Sequence, residues 1–276
     1  MNRKSDHMAA LKRIGRLPDD RIDLAEAALI LGALDRPGVA LKPYHEHLSH
    51  LATEARKASD DHDFLETRAA SINRLIFEMH GYKGNIETYD NPENANLLNV
   101  IDNRTGLPVS IGILYAHAAR ASGCNITGLA FPGHFLLRAT DGAARIIIDP
   151  FHGGQILEAG HLRDLLKQFM GADAELTPRH HAPVGNRDIL LRLQNNIKTR
   201  ALKAKGTSRA SEILERMALL APEVASVWQE LGILSVHTRN LRRAVIALET
   251  FLHLSTSQDE EQEAESLLKQ IKSSLN

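Results

Sequence analysis

Phe131-Pro-Gly-His-Phe-Leu-Leu-Arg138, then Asp141-Gly142, then Arg145-Ile-Ile-Ile-Asp-Pro150: this stretch decides the fold. Both flanks are apolar, the second a run of three β-branched isoleucines, and Asp-Gly between such runs is a strong signal for a two-residue hairpin. With Asp141 and Gly142 as the central turn residues, Thr140 opposes Ala143, and carrying that pairing outward opposes His134 to Asp149. Directly opposed residues on one sheet face hold their Cβ atoms about 5 Å apart. An imidazole and a carboxylate so placed form the orienting half of a nucleophile–His–Asp triad. They equally form a plain hydrogen-bonded pair at a strand edge, and the spacing alone leaves both readings open. Pro132 and Gly133 bring backbone close to His134, and Pro150 ends the second strand sharply.

Upstream of the hairpin, Gly106-Leu-Pro-Val-Ser110 opens a helix that runs to about Ser122, with Pro108 suited to its first position and Gly123 to its end. Period-two runs cover residues 126–131, 134–139 and 144–149, with a weaker run at 155–158. Helical spacing covers 22–35, 41–58 and 62–80, a turn-rich polar stretch covers 82–92, and short helices cover 93–102 and 160–169. The expected architecture is therefore α+β: helices packed on a small antiparallel sheet over residues 21–170. Residues 1–20 are expected as a flexible polar tail. Residues 171–187, with Gly171, Pro178, Pro183 and Gly185, are expected as a linker.

After the linker the pattern becomes purely helical and repeats itself. At an offset of 34 residues, Ile197 matches Leu231, Ala210 matches Ala244, Leu214 matches Leu248 and Met217 matches Phe251. The second copy reads Trp228-x-x-Leu231-Gly232, then Ala244, Leu248 and Phe251, a pattern that resembles the tetratricopeptide repeat. Two copies, 191–224 and 225–258, are expected within residues 188–276, closed by a capping helix carrying Leu267, Leu268 and Ile271. Trp228, Leu231, Gly232, Ala210 and Ala244 are the expected packing positions. Arrays of this kind offer a concave surface to a protein or peptide, or they merely pack as scaffolding.

The 276-residue chain carries 33 Lys and Arg against 34 Asp and Glu, so nothing favours a nucleic-acid partner. No apolar run reaches spanning length, which argues against a membrane. Cys124 is the only cysteine, so no internal disulfide forms. No signal-peptide core follows the N-terminus, and a cytoplasmic setting is expected.

A triad needs a nucleophile. Thiol nucleophiles favour helix N-termini, where the dipole stabilises the thiolate. The residue in the first turn of the helix at 107 is Ser110, which would need His134 as a true general base. Its plain reading is a first-turn serine that satisfies orphan backbone donors. Cys124 follows the helix C-terminus, where the dipole works against a thiolate, and reads as a small buried residue. His47 and His50 fall at i, i+3 in Tyr44-His-Glu-His-Leu-Ser-His50, but the pattern is not a metalloprotease motif and reads as a solvated helix face. No metal or cofactor site is expected. Asn85, Asn94 and Gly133 are candidate cleft residues, and both asparagines also suit turns and caps.

Tyr89-Asp-Asn-Pro-Glu-Asn94, Asn103-Arg-Thr-Gly-Leu-Pro-Val-Ser110, Leu114-Tyr115, Arg120 and Pro132-Gly-His-Phe135 together resemble the SirB-type transglutaminase-like family, over roughly residues 20–258. That family joins a transglutaminase-like core to C-terminal tetratricopeptide repeats. The resemblance implies a papain-like α+β fold with Ser110, His134 and Asp149 at the positions of a Cys-His-Asp triad. Members commonly carry Ser where active transglutaminase-like enzymes carry Cys. The chain departs from the family at Ala95, where Ser is frequent. Three functions follow as expectations. The first is a weakly active or inactive regulatory protein, a pseudoenzyme that binds a protein or peptide through the old cleft and the repeats. The second is an active hydrolase or acyltransferase using Ser110, His134 and Asp149. The third is a repeat-based adaptor whose first domain is a structural cap.

Overall fold

The computed structural model describes residues 3–58 and 64–275. Two compact units divide the chain: residues 18–193 form the first, and the segment up to Leu17 joins the residues from Gln194 onward in the second. The first element is helix α1 (Arg3–Ile14), which belongs to the second unit.

In the first unit, α2 (Leu24–Ala33), α3 (Lys42–Ala58), α4 (Leu65–Asn73, continued by a π-helical stretch to Met79) and α5 (Leu97–Asn103) all pack on α6 (Pro108–Ala121). Eleven of the fourteen α6 residues are buried, so this helix has no solvent face and forms the centre of the unit. Strands β1 (Lys83–Gly84) and β2 (Thr105–Gly106) pair in parallel beside it. The sheet is built from β3 (Asn125–Leu129), β4 (Leu137–Asp141), β5 (Ala144–Asp149), β6 (Gln155–Leu157) and β7 (Pro183–Val184), in the order β6-β5-β4-β3-β7, with every pairing antiparallel. Helix α7 (Ala159–Met170) places Leu162 and Leu166 against Leu129, Phe131 and Leu136. Both faces of β5 are therefore covered. Ile146 and Ile148 are buried and Ile147 packs on the α7 side, which is why this strand reads as a continuous isoleucine run rather than an alternation.

The second unit holds the latter half of α8 (Asn186–Lys203), then α9 (Thr207–Leu220), α10 (Ala225–His237), α11 (Leu241–Leu254) and α12 (Gln258–Leu275). All four residue pairs matched at the 34-residue offset are buried. A Cβ on Gly232 would meet the Leu248 side chain at 2.7 Å, so α10 and α11 approach this closely only because the position is glycine. No strand occurs after residue 190 among the described residues, and no helix there is long and apolar enough to cross a membrane.

Two expectations change. The N-terminal segment is a helix instead of a tail. Met8, Leu11 and Ile14 form a stripe at three-residue spacing, Leu11 is fully buried, and α1 packs on α9. The segment 171–187 is part of the first unit instead of a free linker. Pro183 and Val184 form the edge strand β7 on β3, a position where a proline costs no ladder bond, and the Asp19 carboxylate accepts from the backbone N–H groups of Asn186 and Arg187. Trp228 is half-buried, with Nε1 donating to the Pro222 carbonyl at 2.9 Å.

Candidate functional site

The β4–β5 hairpin forms, but its register differs from the expected one. Asp141 pairs with Ala144 and Thr140 with Arg145, so the central turn residues are Gly142 and Ala143. Only Gly142 takes a positive φ, +55°, whereas a turn centred on Asp141-Gly142 of the I′ kind needs two such residues. The pairing shifts by two residues, which preserves the faces. Strand β4 begins only at Leu137, so His134 lies in the loop before it rather than on a strand opposite Asp149.

The loop nevertheless delivers the imidazole to the carboxylate. His134 Nε2 donates to Asp149 with both Oδ1 and Oδ2 at 2.9 Å, and the two residues are 4% and 2% exposed. Gly133 makes the bend possible: its φ is +72°, and a Cβ there would lie 2.4 Å from the Phe169 ring, so no other residue fits. Phe169 stacks on the His134 ring at 6.1 Å between centroids and His152 stacks at 5.8 Å, while Phe151 meets it edge-on. Arg192, at the end of the first unit's share of α8, donates to the carbonyls of Phe131 at 3.0 Å and His134 at 2.7 Å and so pins the loop from its backbone side.

Asp149 ends β5 and gathers more than His134. His152 Nδ1 donates to its Oδ2 at 2.8 Å, and the backbone N–H groups of Phe151 and His152 donate to Oδ1 at 2.9 and 3.4 Å. Burial by itself pushes this carboxyl up, but the hydrogen bonds and charge of His134, then of His152, outweigh it and hold the acid below its ordinary range. The His134–Asp149 pair is thus assembled, with His134 Nδ1 making no hydrogen bond among the described residues.

Ser110 does not complete it in this structure. Its Oγ donates to the Asn94 carbonyl at 2.6 Å, with the Leu107 carbonyl at 3.0 Å, and the residue is fully buried. The side chain thus bonds acceptors, not the orphan N–H donors expected of a first-turn serine, and it ties the loop before α5 to the start of α6. Ser110→Ala removes a buried donor, and we expect a stability loss of about 1–2 kcal/mol. Chemical denaturation checks this. A nucleophile free of structural duty would leave the midpoint unchanged.

Asn85 and Asn94 spend their amides on one loop. Asn85 Nδ2 donates to Asn94 Oδ1 at 2.9 Å and to Thr88 Oγ1 at 2.8 Å, and Asn94 Nδ2 donates to the Thr88 carbonyl. Cys124 is buried directly after α6, and burial pushes its thiol up, away from a reactive thiolate. The histidines of α3 are not a plain solvated face. His47 accepts or donates at the Tyr82 hydroxyl, and burial, then Arg104, pulls its pKa down to about 4. His50 and His80 both pair with Glu54.

Sequence reasoning missed Arg192 and His152. Arg192 is 58 residues from His134, and no local pattern marks it. His152 carried a signal: it follows Asp149-Pro150, and a sharp turn returns residue i+3 to residue i.

Comparison with known proteins follows the same division. Residues 42–195 match the transglutaminase-like superfamily, and residues 197–272 match the tetratricopeptide repeat. A UPF0162 protein of Xylella fastidiosa (strain Temecula1) is 26% identical over 250 residues, covering 88% of this chain and 88% of its own. A UPF0162 protein of Vibrio cholerae is 29% identical over 205 residues, 74% of this chain and 76% of its own. F-box only protein 21 of Mus musculus is 29% identical over 152 residues, 52% of this chain and 23% of its own length. With the match at residues 42–195 spanning more than half of its length, the chain belongs to the transglutaminase-like superfamily.

Proposed function

We propose that this chain is a regulatory protein of the SirB type within its superfamily, which recognises a protein or peptide through the His134 cleft and its helical repeats and has little or no acyl-transfer activity. One observation carries the reading: the Ser110 hydroxyl donates to the Asn94 carbonyl, with the Leu107 carbonyl also within reach, which supports a structural role for this serine. The exposed aromatic groups near the dyad, Tyr89 and Phe169, suit a peptide side chain, and tetratricopeptide repeats are a common protein-binding scaffold. The single cysteine suits a reducing, cytoplasmic setting. A second reading, a hydrolase or acyltransferase built on Ser110, His134 and Asp149, is favoured by the assembled His134–Asp149 pair.

A serine-directed fluorophosphonate separates the two. We expect no labelling of Ser110 and no hydrolysis of activated acyl esters. Labelling that disappears in His134→Ala would establish the enzyme instead. The interaction reading is tested with a captured partner. His237→Ala, at an exposed position of α10, should weaken capture without lowering the melting temperature. If neither that change nor His134→Ala alters capture, the interaction reading is wrong.

A further inference from the structure

Asp149 holds two imidazoles at once, and all three side chains are of kinds that ligate metal ions. His134 Nε2 lies 2.9 Å from both carboxylate oxygens, and His152 Nδ1 lies 2.8 Å from Oδ2. Each of the three residues offers one ligand atom, and these atoms all lie within 4.8 Å of one another. Two neutral imidazoles and a carboxylate are the borderline ligand set that suits zinc and its neighbours among divalent transition metals, and poorly suits calcium or magnesium.

The distances to the carboxylate are close to what a cation requires. Zinc bonds of 2.0–2.2 Å to nitrogen and oxygen set tetrahedral ligand atoms about 3.3 Å apart. The present separations to Asp149 need only a few tenths of an ångström of opening. Much of the outer support is in place. The Phe151 N–H bonds Asp149 Oδ1 at 2.9 Å, which leaves Oδ2 toward the two histidines. Arg192 fixes the His134 backbone, and Phe169 stacks on its ring. Two of the ligands are nearly fully buried, while the His152 side chain is half exposed.

We propose that His134 Nε2, Asp149 Oδ2 and His152 Nδ1 form a three-ligand site for a divalent transition cation, zinc being the best match. The site does not depend on whether the cleft binds a peptide or turns over an ester. It does bear on both. A cation on Nε2 fixes the proton of the neutral His134 ring on Nδ1. His134 then presents a donor at that atom and no longer serves as a base. Loading and general-base function are mutually exclusive states of one histidine.

The test uses the untagged full-length chain, stripped with a chelator and titrated with zinc by calorimetry and with cobalt by visible absorption. One equivalent should bind. Cobalt should give the intense visible bands of a low-coordinate site. Melting temperature should rise with zinc, since a ligand that binds only the folded state stabilises it. His152→Ala, at a half-exposed position, should fold normally in the stripped form and bind at least about tenfold more weakly, at or beyond the usual effect of losing an outer-shell partner. His80→Ala, in the separate histidine cluster around Glu54, should leave the affinity unchanged. The proposal is overturned by absence of saturable binding in the wild type, by undiminished affinity in His152→Ala, or by loss of affinity in His80→Ala.

Discussion

Replacing Asp149 by alanine is expected to cost about 3–5 kcal/mol, because it removes the shared acceptor of a buried polar group rather than one contact. His134 would be left with an unpaired ring donor in a nearly closed site, and the N–H groups of Phe151 and His152 would lose their partner. Asp149→Asn keeps the shape and one acceptor oxygen, and its loss should be smaller. The same carboxylate makes a pH signature. Its folded pKa lies below the ordinary value of 3.8, so the folded state releases this proton more readily than the unfolded chain. The stabilisation is therefore fully present above the unfolded pKa of about 4 and disappears as pH falls through the lower folded pKa. Urea denaturation at a series of pH values should show a steeper acid-side loss in the wild type than in Asp149→Ala. Parallel curves would mean that Asp149 is not held ionised by its two histidines.

Phe251→Ala should destabilise the helical array by about 3–5 kcal/mol, the usual cost of emptying a buried phenylalanine site. Phe251 is 1% exposed and belongs to the cluster formed with Ala244, Leu248, Ala264 and Ile271, with Trp228 and Leu267 packed around it. Trp228→Ala should cost less, about 2 kcal/mol, although Trp is the larger side chain, since part of its indole is already in water. Its lost hydrogen bond to the Pro222 carbonyl frees a backbone acceptor near the start of α10. Thermal unfolding followed by far-ultraviolet circular dichroism ranks the two. A larger loss in Trp228→Ala would show that the array is organised around the helix-one position that its sequence pattern emphasises.

The legible parts share a property: each was written in short-range periodicity. The 34-residue offset from α8 and α9 to α10 and α11 marked positions that turn out buried in both copies. Pro108 and Gly123 bracketed α6 within a residue or two. Apolar runs identified β3, β4 and β5. Helix α1 was missed because a stripe of three apolar residues in a polar segment is ordinary until a partner such as α9 covers it. Strand β7 was missed because its two residues, Pro and Val, have no period at all, and pairing with β3 alone makes them a strand.

At the candidate site the division is sharper. The sequence by itself determined that His134 and Asp149 would flank a tight hairpin and that an α+β domain would precede a helical array. Hydrophobic period and turn chemistry act between neighbours and survive without knowledge of the rest of the chain. Only the tertiary structure decided the register, in which Gly142 takes the positive-φ turn position, and the bend at Gly133 that carries His134 off the strand. It also decided that Arg192 clamps that loop, that His152 shares the Asp149 carboxylate, and that the Ser110 hydroxyl turns to Asn94 and Leu107. The direction of a buried hydroxyl or imidazole is set by which unsatisfied partner lies nearest in space, and chain order carries little of that information.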